Sequence, residues 1–226
     1  MFRYAIIAAI ALANGCGDSQ VQFSTPSPAD DSRPATIDAP VAPPIAADVE
    51  WGSLTGRFVW DGALPKLDSI NPDRDREVCG NSLVDDSIVV NADDKGIANV
   101  FVWLRSADFP IHPDFDDTVP SKVRIHARGC RFVPHAFTIR VGQTLDVSYD
   151  DPVFHNVWLD TEPRYKGVPR LLFIHEVQRP EPRPVTLNCS VHPWMRAWAL
   201  IQDHPYMAVT DENGHFSIAK LPAGVW

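Results

Sequence analysis

The stretch Cys189-Ser190-Val191-His192-Pro193-Trp194-Met195 sets a thiol, an imidazole and a thioether at equal intervals. A second imidazole, His155, lies about thirty residues earlier, in Asp150-Asp151-Pro152-Val153-Phe154-His155-Asn156. A thiolate, two imidazoles and a thioether are soft donors, and together they suit a trigonal copper ion with a long, weak axial sulfur. A tetrahedral zinc could use the same Cys and His residues, but Met195 would then have no part. The chain also carries an echo, His204-Pro205-Tyr206-Met207, which follows Asp203 rather than a cysteine.

Such donors need rigid elements to aim them. In PVTLNC (184–189), Val185, Leu187 and Cys189 fall on one face of a strand, so the thiol points the way the core residues do. In HNVWLD (155–160), His155 shares a face with Val157 and Leu159. TLDVSY (144–149) alternates cleanly and reads as a half-buried strand. LLFIHEV (171–177) and WALIQD (198–203) continue the series, and NVFVWL (99–104), apolar on both faces, reads as a central strand. AVTDENGHFSIAKLPAGVW reads as a hairpin turning at Asn213-Gly214. No long stretch has helical periodicity, and 21 prolines oppose one. The expected class is an all-β sandwich.

Composition sets outer limits. The 226 residues are 45% apolar and 22% charged, as in a globular protein, with room for one large or two small domains. A net charge of −9 argues against nucleic acid as a partner. Residues 17–48, rich in proline and aspartate with Phe23 the only aromatic, bury too little to fold and read as an acidic tether.

Ahead of that tether, Arg3 precedes an apolar run from Ala5 to Ala13, in the order of an export signal. Ala13-Asn14-Gly15-Cys16 resembles a bacterial lipobox, with Ala13 where Leu is usual. Residues 1–15 would then be removed and Cys16 lipid-modified, leaving the protein anchored in the periplasm or cell envelope. An ordinary secretory signal cut nearby is the other reading. Outside the cytoplasm thiols tend to pair. Cys79 and Cys130 are the natural pair, which leaves Cys189 free for a metal, although the sequence leaves other pairings open.

The donor-bearing segment resembles the cupredoxins, the blue copper proteins. Cys189–Met195 looks like the short ligand loop of the amicyanin type. FVPHAFTIRVGQTLDVSYDDPVFHNVWL resembles the other half of that family, ending in its His-Asn. The resemblance spans about residues 120–203 and implies a Greek-key sandwich. It makes His155, Cys189 and His192 the equatorial ligands of one copper ion and Met195 the axial one. Asn156 would tie the ligand loops together, and His192, with Pro193 and Trp194 beside it, would lie near the surface as the electron port. Many cupredoxins have an aromatic where Leu187 stands here, a difference that bears on packing beside the thiolate. His135 is either an outer neighbour of the metal or an ordinary loop residue. His112, His126, His175, His204 and His215 read as ordinary.

The flanks resemble a different family. Gly52–Trp60, Gly96–Leu104, Thr210–Ile218 and Leu221-Pro222-Ala223-Gly224 look like pieces of a carboxypeptidase regulatory-like domain, a small transthyretin-type sandwich. The implied organisation is host (49–119), copper domain (120–203) and host again (204–226), its sheet either incomplete or finished by a partner, with the His204 echo at the second junction. The expected function is one-electron transfer between periplasmic redox proteins such as a c-type cytochrome or a dehydrogenase, without enzymatic chemistry. Copper delivery, or an interaction module with structural or sensory copper, are the alternatives. Arg164, Lys166, Arg170, Arg179 and Arg183 form a basic run that could steer an acidic partner.

Overall fold

The computed structural model describes residues 49–105, 109–115, 122–161, 165–166 and 173–224, all within one unit, Pro44–Trp226. The signal, Cys16 and the tether lie outside the described residues, as do Arg164, Arg170 and the side chain of Lys166.

The first strand, β1 (Trp51–Arg57), is followed by short pieces. Two-residue strands β2 (Ser69–Ile70) and β3 (Leu83–Val84) pair antiparallel around a single helical turn, α1 (Arg76–Cys79). β4 (Val89–Val90) pairs with β5 (Ile97–Ala98), and β6 (Phe101–Trp103) follows. The sequence pattern gave no sign of α1, since one turn is too short to show a period.

A two-layer sandwich comes next. Its strands are β7 (Lys122–Arg128), β8 (Arg131–Val133), β9 (Ala136–Arg140), β10 (Thr144–Tyr149) and β11 (Val157–Leu159), then β12 (Tyr165–Lys166), β13 (Phe173–Glu176), β14 (Val185–Cys189) and β15 (Arg196–Gln202). One sheet runs β13-β10-β7-β8 and the other β12-β11-β14-β15-β9. Two neighbours are parallel, β10 with β7 and β15 with β9, because the chain changes sheet between β8 and β9 and again before β10.

Period-two patterning decides which side chains face inward. Ile125, Ala127, Leu145 and Val147 of one sheet and Leu159, Leu187, Ala197, Ala199 and Ile201 of the other have no exposed surface and share one core. Each large aliphatic buried in this way contributes about 1.5–3 kcal/mol. The expectation of an all-β sandwich holds.

The chain ends with β16 (Met207–Val209) and β17 (His215–Pro222). Two strand expectations change here. The turn at 211–214 forms, with Gly214 N–H donating to Asp211 O at 3.0 Å, but the strands on either side of it separate. β16 pairs with β6 and β17 with β1, so the expected hairpin is only a shared tip. For the same reason NVFVWL is not a central strand. Its core, β6, belongs to a two-stranded sheet and is half-buried throughout. One face, Val102 and Leu104, packs on a small second core of Phe109, Tyr206 and Ile218, while Phe101 of the other face lines a cavity, so among the described residues no second sheet covers the strand.

Candidate metal centre

Strand register assembles the centre. Val157 of β11 lies opposite Cys189 of β14, so the two side chains share a face, and His155, two residues before Val157, falls on it too. Ser190 N–H donates to Asn156 O at 2.9 Å and joins the two ligand loops. The tie expected of Asn156 thus runs through its backbone carbonyl.

The loop after Cys189 closes on itself. Cys189 N–H donates to Met195 O at 3.3 Å and Met195 N–H to His192 O at 2.9 Å. His192 N–H points at Cys189 Sγ, 3.4 Å away. These bonds turn the chain tightly enough to return His192 and Met195 to the core end of β14.

Three donor atoms meet there. Cys189 Sγ lies 3.8 Å from Nδ1 of His155 and 3.8 Å from Nδ1 of His192, and the two Nδ1 atoms are 3.1 Å apart. A triangle with these edges has its centre about 2.1 Å from each corner, the length of a metal bond to imidazole and about 0.2 Å short of one to thiolate. Met195, from the same loop, is buried in the same core. A soft, dry His2Cys set with a buried methionine in the same loop fits copper.

Burial tunes these groups. His155 has its pKa held below the usual histidine value, first by burial and then by the neighbouring charge of His192, with Asp151 opposing. A neutral imidazole is the form that can ligate a metal. Tyr149, whose ring centre is 5.6 Å from that of His155, is pushed up to about 12 by burial and then by the charge of Cys189.

Two carboxylates stand behind the histidines, and neither was singled out in the sequence. Asp151 lies 3.5 Å from His155 Nε2 and accepts the backbone N–H of Gly129 and Cys130 at 2.7 and 2.8 Å. Asp75, from the segment leading into α1, lies 2.8 Å from His192 Nε2. Asp75 sits in a charged run, DRDRE, that looks like solvated surface, so no local signal marks it.

His192, expected near the surface, has 0% exposed surface itself, and its Nε2 meets Asp75, whose side chain is 38% exposed. Residues around α1 cover the histidine, and Cys79 and Cys130, joined as a disulfide, place their sulfurs within 4.8 Å of an imidazole nitrogen of His192. Of the neighbours expected at that edge, Pro193 is exposed and Trp194 half-buried, its ring centre 5.1 Å from that of His192. Among the described residues, Cys189 is the free thiol.

His135 stands apart from the donors. It lines a cavity of about 450 Å³ with Asp86, Phe101, Arg183 and Trp198, and its Nδ1 is 3.5 Å from Asp86. Burial lowers its pKa, against the pull of Asp86. The echo belongs elsewhere too: Tyr206 is fully buried in the second core, donating to Pro110 O at 3.1 Å. Arg179 and Arg183 of the basic run are exposed.

No family model matches the chain, and no curated protein matches it. Solved structures similar in fold include the Cu-containing nitrite reductase from Thermus scotoductus SA-01, at 18% identity and TM-score 0.34 over 41% of this chain. The match spans only 27% of that enzyme. A Cu(I) amicyanin variant is similar at 14% identity and TM-score 0.32, over 38% of this chain and 87% of amicyanin. The purple cupredoxin from Nitrosopumilus maritimus is similar at 20% identity and TM-score 0.30, over 34% of this chain and 97% of its own. These likenesses concern the fold of part of the chain. The donor geometry carries the functional reading.

Proposed function

We propose that the protein is a mononuclear type 1 copper protein that passes single electrons between redox proteins of the cell envelope. The observation that carries this is the buried triangle of His155 Nδ1, His192 Nδ1 and Cys189 Sγ, with Met195 closing the same loop. Copper held there supplies a one-electron couple.

The protein's own contribution is rigidity and dryness. The β11–β14 register and the Ser190–Asn156 bond keep His155 and Cys189 in place whichever charge the centre carries. The His192 N–H directed at Sγ offsets part of the thiolate's charge. Donors exposed by 3% or less keep water away, so little solvent rearranges when charge changes. With His192 covered, Trp194 and Pro193 offer the short way to the surface, where a cytochrome or dehydrogenase would meet the protein transiently.

The closed donor set supports a resident ion over a cargo awaiting delivery, and electron carriage over catalysis on a bound substrate. The Cys79–Cys130 bridge suits an oxidising compartment and so supports the export reading, with Cys16 as the lipid anchor. The mass of the mature N-terminus tests that part. The pairing of β1 with β17 and of β6 with β16 supports a host sandwich interrupted by the copper domain.

The principal test is to titrate the protein with Cu(II) and record the visible spectrum. An intense thiolate-to-copper band that disappears in Cys189→Ser is expected. A colourless protein would overturn the reading.

A further inference from the structure

Asp75 occupies the position just before α1, where an aspartate ordinarily turns back to accept a backbone N–H of the first turn. Its carboxylate makes no such bond. The backbone carbonyl of Asp75 starts the turn instead, accepting from Val78 and Cys79 at 3.0 and 2.8 Å. Asp75 itself adopts φ 50°, in the left-handed region. Its side chain is thereby free to reach His192 Nε2 at 2.8 Å, across 117 residues of sequence.

The reach is held from below. α1 ends in Cys79, whose disulfide to Cys130 ties the segment to the turn between β7 and β8. That turn is fixed in its own right by Asp151, which accepts the Gly129 and Cys130 N–H groups. Val78 packs on the sandwich core, and Arg76 Nε donates to Pro72 O at 2.6 Å. The result is a strapped cap over a histidine with no exposed surface.

An imidazole that donates from Nε2 keeps its lone pair on Nδ1, and a carboxylate receiving that proton fixes both tautomer and ring angle. The Nδ1 of His192 is the atom that faces Cys189 and His155. We infer that Asp75 is a positioning residue for the metal centre: it accepts His192 Nε2–H, locks the Nδ1-ligating tautomer and sets a negative charge behind that ligand, with the Cys79–Cys130 strap keeping it there. This rests on reading the trio as a copper site. The inference also predicts a direction: a carboxylate behind the ligand favours the divalent over the monovalent state.

The experiment uses the full chain labelled with ¹⁵N-histidine, first metal-free and then loaded with Cu(II). In the metal-free wild type, NMR is expected to show His192 protonated on Nε2, with slow exchange of that proton. Asp75→Ala loses the slow exchange, whereas Asp75→Asn, whose amide oxygen still accepts, retains the tautomer. In the Cu(II) form, pulsed EPR of the remote imidazole nitrogen changes in Asp75→Ala, and both variants shift the reduction potential upward. Cys79→Ser/Cys130→Ser speeds the exchange without removing the charge. Protonation of wild-type His192 on Nδ1, or a remote-nitrogen signal identical in wild type and Asp75→Ala, would overturn the role of Asp75. Exchange unchanged in the double serine variant would overturn the role of the strap. Absence of the charge-transfer band from wild type would instead sink the copper reading, while the metal-free spectrum still decides the tautomer.

Discussion

At the scale of single residues, the two methionine-bearing tetrapeptides differ in what surrounds them. Met195 is buried in the loop that carries Cys189 and His192, whereas Met207 opens β16, half-buried and opposite Trp103. Met195→Leu should therefore shift the visible and EPR spectra of the copper form, and Met207→Leu should leave both unchanged. Equal shifts in the two variants would show that the donor assignment is wrong. The sequence could separate the two motifs because one follows a cysteine and the other does not. It could not identify Asp75 or Asp151 as partners of the histidines. A carboxylate's role here depends on what it faces, and nothing in a run of alternating charges records that.

At the scale of elements, glycines show how closely the flanking strands interlock. A methyl group on Gly96 would sit 2.1 Å from the Asn213 backbone, and one on Gly214, at φ +80°, 2.2 Å from Phe58 O. Between them Phe58 donates to Gly214 O and accepts from Ile97 N–H, both at 2.9 Å. Gly96→Ala should cost about 1–3 kcal/mol in denaturant unfolding, as over-packing does, while leaving the copper spectrum intact. The turn beside it carries a pH dependence. Asp211 accepts the N–H of His215 at 2.8 Å and of Asn213 at 2.9 Å, and these bonds hold its carboxyl below the usual range. A depressed folded-state pKa means that this stabilisation is fully present above the ordinary carboxylate value. It is lost as the pH falls through the folded value. Asp211→Asn should flatten that acid limb of the melting temperature, and an unchanged limb would count against the assignment. The turn was legible from Asn213-Gly214, but the partners of its strands were not, because pairing at a two-stranded edge is chosen by distant segments.

At the scale of the whole molecule, the disulfide joins residues 51 apart and ties the segment before β3 to the sandwich. Breaking it in Cys79→Ser/Cys130→Ser should lower unfolding stability by about 2–4 kcal/mol, measured by denaturant titration. The all-β class and the inward parity of β10 and β14 could be read directly, since alternation is a property of neighbouring residues. The chemical nature of the centre was legible too, because thiolate, imidazole and thioether are named by the chain itself. What only the tertiary structure decided is who stands behind those donors and whether they meet solvent. The resemblance implied a His192 near the surface, and a segment more than a hundred residues earlier covers it. Spacing along a chain constrains what is near in sequence; burial depends on every segment that folds over the site.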